Sequence, residues 1–497
     1  MSSAFQPMQA NGIRDLPYAL IDRQLEQKFR WLSFLWIAFL YVAGLYFWCN
    51  FLNWTRTPLD FQDWGVINVP RLDFFRDALR SGQMPLHMNY GKITEQVPPL
   101  HGTDRYFSVP DVITTPQSLL LLGLTINQFV LIDLLLHFTL ASLGLLWFRR
   151  KYGLSLFSFG ILFLLFNFNG YIQSHYAVGH ITWMGYFLFP FFIALVIQAV
   201  EEPPSWIWVA KISFLLLYML LVGSQHHFTW TLIFLSVLAL VCWKKWKWIF
   251  WAGLSSGLLG AIRLLPPILI LQDMYTGSGN RLLPGYPVLL DVLRSLAIIV
   301  RPDEPYRGSA NVGYWEFDIY VGLMGTLFLL YFGVYQWLKN GDLYPSLQKL
   351  FIPTVVIFLL TIGKIFAVVR ASRIPFFEGE RAPSRMIGLP LTVIIIVAVI
   401  YYHRWLEQAA ITKPVLLLLN ILLLAFLAND LWAHARVWNL ESVRTTFGPV
   451  QMLLSENSIG DRTDRRYLAI LLMGMLLSVS TGLFLAYRIQ KERQLTN

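Results

Sequence analysis

Charge is scarce in this chain. Asp, Glu, Lys and Arg make up 14% of its 497 residues, where a soluble domain carries about 25%. Cysteine is nearly absent too. Cys49 is expected near the outer end of one apolar span and Cys242 near the inner end of another, which excludes a disulfide between them. Neither a CxxC nor an HExxH pattern occurs, so no dedicated zinc site is expected. A removable signal peptide is not expected either. The first 30 residues are polar, and the apolar stretch after them is long enough to stay as a helix.

What fills the chain is hydrophobic. Apolar residues make up 56% and mean hydropathy is +0.53. Several stretches approach the roughly 20 apolar residues that cross a bilayer. The composition therefore predicts an all-α, polytopic membrane protein. The expected spans lie near 31–52, 126–148, 156–172, 181–199, 206–223, 226–243, 248–267, 318–338, 350–369, 386–404, 414–433 and 466–487, twelve in all. The stretch 206–243 also reads as one long broken helix, which would invert everything after it. The net charge of +10 does not point to nucleic acid. Its Lys and Arg cluster at Arg23-Lys28-Arg30, Arg149-Arg150-Lys151, Lys244-Lys245-Lys247, Lys339-Lys349, Arg404-Lys413 and Arg488-Lys491-Arg493, at alternate ends of successive spans. That is the positive-inside bias, and it puts both termini in the cytoplasm. Trp48, Trp54, Trp147, Trp183, Trp206, Trp248, Trp337 and Tyr402 read as the interfacial aromatic belt.

The long connections then fall outside, at 53–125, 268–317 and 434–465, with a shorter Arg-dense one at 370–385. Chemistry on that face has no direct access to cytosolic nucleotides. In the first loop, Leu72, Phe75 and Leu79 recur at helical spacing with charges opposite, and Ser81-Gly82 stops the pattern. This predicts an interfacial helix in the membrane plane. A second helical piece is expected from Ser108 to Leu122.

These pieces resemble a known group. A carboxylate-bearing first loop, an interfacial helix and many spans look like the GT-C superfamily of membrane glycosyltransferases. More narrowly, the chain resembles YfhO-type bacterial membrane proteins. The likeness rests on Asp60 and Asp63, Ser81-Gly82-Gln83-Met84-Pro85-Leu86, Asn89-Tyr90-Gly91, Gly179-His180, Tyr320-Val321-Gly322 and Arg381-Ala382-Pro383-Ser384-Arg385, and it covers 31–405. It differs in having no large soluble C-terminal domain. The resemblance implies sugar transfer from a polyprenyl-phosphate donor on the outer face of a bacterial inner membrane. It also implies a core module at 1–267, of which 31–267 carries the helices and 1–30 is a cytoplasmic tail. Residues 318–404 would close the donor side, and the spans in 405–497 would serve packing or a partner.

The residues suit that chemistry. An inverting transfer needs a carboxylate to take the acceptor's proton and cations for the departing phosphate. Asp63 is the first candidate base and Asp60 the second. Either reads equally as a cap or as a partner of Arg56 or Arg71. Asp133, His137, Arg263 and Lys364 lie inside apolar spans, where charge is costly. Arg263 and Lys364 are read as ligand-facing cations that converge with Arg385 on an outward cavity under the first loop; an internal Asp133–Lys364 or Asp133–Arg263 pair is the alternative. Arg381 and Arg385 form a phosphate grip or a snorkelling rim. Glu316 and Asp318, beside Tyr314 and Trp315, suit sugar hydroxyls or a solvated loop. His180 joins the substrate-binding set. His175, His180, His226 and His227 at outer helix ends read as ordinary interfacial histidines rather than a metal site. No cofactor is implied, although a divalent metal is compatible with the chemistry. A lipid-linked-substrate flippase and a catalytically silent subunit of a membrane complex remain open as other function classes.

Overall fold

The computed structural model describes residues 15–89, 105–269, 284–306, 313–372, 377, 380, 382–450, 458–459 and 464–496. Among the described residues the chain is helical apart from a two-residue antiparallel ladder, Met88–Asn89 with Ser458–Ile459, and three isolated bridges.

Among the described residues, seven helical stretches are long and apolar enough to cross a membrane: Arg30–Phe51, Ile126–Tyr152, Leu156–Ala177, Ile181–Glu201, Pro383–Gln408, Lys413–Phe447 and Arg465–Leu495. The protein is therefore a membrane protein by its helices, with fewer full-length spans than the twelve expected. Local breaks account for the difference. Trp206–Leu221 and Pro345–Leu360 are short, and Gln225–Val241 meets Trp243–Leu259 at a bend of 114°. The stretch 206–243 is two helices. They part at Gly223, whose φ of +77° only glycine adopts readily and whose missing side chain admits the backbone of Asp111.

Two stretches form the centre. The spans Leu156–Ala177 and Pro383–Gln408 are each 94% buried within the protein, against 17% for Arg465–Leu495. The Phe- and Leu-rich segment Leu156–Asn167 packs on Arg30–Phe51, Ile126–Tyr152, Gly388–Gln408 and Lys413–Trp438. A helix that is apolar all round has no water-facing side, so it takes the middle position. The aromatic belt is correspondingly thinner than expected. Trp48, Trp183, Trp206, Trp337 and Tyr402 are buried in protein, whereas Trp54 is exposed.

The bundle has two distinct ends. At one, Glu26 pairs with Arg149, Lys151 with Glu201 and Lys413 with Asp22, while Lys245 donates to the carbonyls of Ala199, Val200 and Glu202. This gathers the basic clusters together. The first loop lies at the other end. There the expected amphipathic helix is Val69–Ser81, closed by Gly82 at φ +66°. It is sunk deeper than an interfacial helix: Arg71 and Phe74 are buried along with Leu72 and Phe75. The piece from 108 to 122 is not one helix. Pro110 and Pro116 withdraw amide donors, leaving the short 3₁₀ turns Tyr106–Ser108, Val112–Thr114 and Pro116–Leu122.

Candidate active site at the loop end of the bundle

The segment 62–68 clamps onto the turn between Gly170–Ala177 and Ile181–Leu188. The Asp63 amide donates to the Val178 carbonyl at 3.1 Å, and Trp64 Nε1 donates to Ala177 at 3.2 Å. Asn68 Nδ2 donates to both Gly179 and Asp63 carbonyls, at 2.5 and 3.0 Å. Gly179 makes this contact possible. Its φ is +100°, and a Cβ there would stand 2.4 Å from the Trp64 amide nitrogen. On the other strand of the contact, Gln62 is held at φ +44°, a strained setting for a residue with a side chain. Backbone strain at such a place is a mark of a functional segment.

This clamp delivers Asp63 to His180. His180 Nε2 stands 3.3 Å from Asp63 Oδ2, and the Asp63 side chain keeps 42% of its surface open. Behind it, His180 Nδ1 and His175 Nδ1 lie 2.7 Å apart. One of the two must donate. The other ring nitrogen of His180, Nε2, is the one that faces the Asp63 carboxylate. The three groups form a row from the half-open carboxylate to buried His175.

Trp183 is the hub beneath the row. Its ring lies 4.5 Å from His175, 4.9 Å from His180, 5.8 Å from His226 and 5.4 Å from His227, and the Arg385 guanidinium sits 5.0 Å above it. Arg385 is buried, gripped by both oxygens of Glu316 and also within the fields of Glu380 and Asp63. Tyr171 donates to the Arg385 carbonyl at 3.0 Å, which fixes the turn carrying it. Glu380 accepts from Trp230 Nε1 at 2.9 Å and faces His226 Nδ1 at 3.0 Å. Burial pushes the Glu380 carboxyl up, but His226 and Arg385 outweigh it and hold the group below its ordinary value. Among the described residues, no group of three or more His, Cys, Asp or Glu side chains is arranged to hold a metal ion.

The structure thus brings together Asp63, His180, Arg385 and Glu316. It separates the other candidates. Asp60 is occupied by a two-pronged bond from Arg444, at 2.7 and 3.0 Å, rather than by Arg56 or Arg71. Arg263 donates to the Phe107 and Val109 carbonyls at 3.1 Å each and lies 3.8 Å from Asp111, which itself pairs with Arg71. It anchors the first loop from within, so the expected convergence of Arg263, Lys364 and Arg385 does not occur. Lys364 is exposed on the short helix Gly363–Ala371. The alternative pairs of Asp133 with Lys364 or Arg263 are not made either, since Asp133 meets His137 and Gln117. Glu316 and Asp318 are no open sugar platform. Glu316 holds Arg385, and Asp318 is buried against His434 Nε2 at 2.8 Å, with Gln173 on the ring's other side at 3.0 Å. Arg381 lies outside the described residues.

Sequence reasoning missed Trp183 as a site residue, reading it as part of the belt, and missed the role of Glu380. A Trp between paired histidines in 175–183 and 226–227 was the available signal. The chain matches no family model, no curated protein and no solved structure.

Proposed function

We propose that the protein is a GT-C-like membrane glycosyltransferase, moving a sugar from a polyprenyl-phosphate donor to an acceptor at the loop-bearing face of the membrane. The observation that supports this best is a half-open carboxylate, Asp63, braced by His180 and strained backbone at the end of an apolar helical bundle. Asp63 Oδ2 faces His180, so Oδ1 is the oxygen offered to an acceptor hydroxyl. The acceptor's proton passes to Asp63 as its oxygen bonds the anomeric carbon. The bond from that carbon to the phosphate oxygen breaks, and its electron pair leaves on the lipid phosphate. His180 holds the carboxylate in place, and the added proton leaves Asp63 to water at its open face. The departing phosphate needs a cation. Arg385 is already matched by Glu316, so it would serve by sharing its charge, with Arg381 as the further candidate. This reading places the loop face outside a bacterial inner membrane and the basic end in the cytoplasm. A flippase for lipid-linked substrates is the second reading, favoured by the fully buried Asp133–His137 pair.

The test is transfer from a panel of polyprenyl-phosphate sugars in proteoliposomes. Asp63→Asn should cost 100-fold or more, about the contribution of a general base, while gel-filtration behaviour and melting temperature stay unchanged. Undiminished turnover in that variant would sink the enzyme reading.

A further inference from the structure

A second buried carboxylate lies away from the Asp63 site. Asp133 and His137, one turn apart in Ile126–Tyr152, are both fully buried. Gln117 Nε2 donates to Asp133 Oδ1 at 2.9 Å, whereas Oδ2 has no hydrogen-bond partner among the described residues. His137 does not neutralise the carboxylate by a hydrogen bond. Its Nδ1 is 2.8 Å from the Asp133 backbone carbonyl and 3.5 Å from Oδ1, so the Nδ1 proton goes to the backbone. The other nitrogen faces the Tyr218 hydroxyl at 3.3 Å, and that hydroxyl accepts from Gln117, also at 3.3 Å. The run Gln117 N–H to Tyr218 O–H to His137 Nε2 is complete with a neutral imidazole. Tyr176 is the other titratable group close by, and its hydroxyl donates to the Val130 carbonyl at 3.1 Å. No Lys or Arg among the described residues pairs with Asp133.

A bare carboxylate buried in that setting is costly, more so than a single neutral hydrogen bond offsets. Something small and positive must sit on Oδ2. We infer that Asp133 Oδ2 is a binding site for a small monovalent cation inside the membrane, a proton or Na⁺. The approach is from the loop end of the bundle. Gln117 belongs to the turn Pro116–Leu122 and is partly exposed, and Tyr218 is partly exposed beside it. This site does not depend on the transferase reading, because none of its residues touches Asp63.

Dicyclohexylcarbodiimide tests it. The reagent reacts with a protonated carboxyl group in apolar surroundings and leaves a stable N-acylurea that mass spectrometry locates. In full-length protein in Na⁺-free buffer, Asp133 should be labelled at acidic pH in both the unaltered chain and Asp63→Asn, and should be unlabelled in Asp133→Asn. Loss of label on raising the pH, unchanged by swapping K⁺ for Na⁺, identifies the ligand as a proton. Loss of label on adding Na⁺ at fixed pH and ionic strength identifies Na⁺ competing for the same oxygen. Infrared difference spectra provide a readout that needs no reagent access: the carbonyl band of a protonated carboxyl should be present in Na⁺-free acid buffer and absent in Asp133→Asn. A missing band overturns the assignment. So does a label that ignores both pH and Na⁺, since Asp133 would then be a fixed neutral acid rather than an exchanging site.

Discussion

The pair His175–His180 is the most economical way to separate a catalytic arrangement from a packing one. Both rings pack at a tilt against Trp183, so a structural role resides in ring area, while a catalytic role resides in the Nδ1–Nδ1 contact at 2.7 Å. His175→Phe keeps the ring and removes the contact. On the proposed mechanism it should lower kcat about tenfold, some 1.4 kcal/mol of barrier, leave KM unchanged and shift the pH profile of kcat. Steady-state kinetics across pH read this, and an unchanged profile would return the histidines to packing. Asp60 makes the opposite prediction. The Arg444 hydrogen bond holds its carboxyl below the ordinary value, with burial opposing and the Arg444 charge adding to the effect. A depressed folded-state pKa contributes stability above the unfolded value of about 3.9 and loses it as pH falls through the folded one. Asp60→Asn should therefore lower stability at pH 7 only slightly, as for other solvent-screened pairs. The deficit should vanish in strongly acidic buffer, and transfer should persist. The sequence ranks Asp63 ahead of Asp60, but the two stand three residues apart in one polar segment and neither shows its partner there. Only the partner distinguishes them, and Arg444 is 384 positions away. Long-range pairing of this kind leaves no local pattern to read.

At the scale of elements, breaks in the helices shape the site more than the helices themselves. Hydrophobic runs announce themselves by length, which is why Arg30–Phe51, Ile126–Tyr152 and Ile181–Glu201 follow the expected spans closely. The breaks depend on single residues whose effect is set by what packs against them. Gly179 is the decisive case. It was legible as half of a Gly-His pair, but the reason for the glycine is the Asp63–Trp64 backbone lying across it. Gly170 works similarly, since a Cβ there would stand 2.5 Å from the Tyr320 amide nitrogen, where Gly170 donates to the Tyr320 carbonyl at 2.7 Å. Gly179→Ala should place a side chain in a left-handed setting and against backbone that cannot yield, costing about 1–3 kcal/mol. Because the clamp also orients Asp63, the variant should lose transfer beyond what its stability loss explains. Thermal melting together with activity measured well below the melting temperature separates the two effects. An alanine variant with ordinary stability and full activity would show that the clamp does not set Asp63.

For the molecule as a whole, the question is whether residues 405–497 are dispensable to the site. Their helices look peripheral: Lys413–Phe447 is 22% buried and Arg465–Leu495 17%, the profile of helices that face lipid. Hydropathy registers that exposure and nothing else, so the sequence reads them as packing spans. Their polar side chains give a different picture. His434 reaches Asp318, Arg444 holds Asp60, Glu441 accepts from Thr57 at 2.7 Å, Asp464 pairs with Arg105, Tyr467 accepts from the Phe107 amide at 2.9 Å and Glu492 accepts from the Trp206 amide at 2.9 Å. Five of these six contacts lie at the loop end, where they tie down the first loop and the 318–322 segment that border the site. Removing 406–497 would leave Asp318 without its buried histidine, a loss of about 3–5 kcal/mol when one partner of a buried pair goes. It would also uncover Leu156–Asn167, which now packs on Lys413–Trp438. Loss of the segment should therefore abolish folding rather than trim activity. Expressed without these residues, the chain should be recovered only as aggregate or degraded. Co-expression of 406–497 as a separate piece should restore a monodisperse protein, because the helices re-associate through surfaces already matched. A truncated chain that runs monodisperse by itself and transfers sugar would show that the long-range polar contacts are ornamental and that the module ends before them.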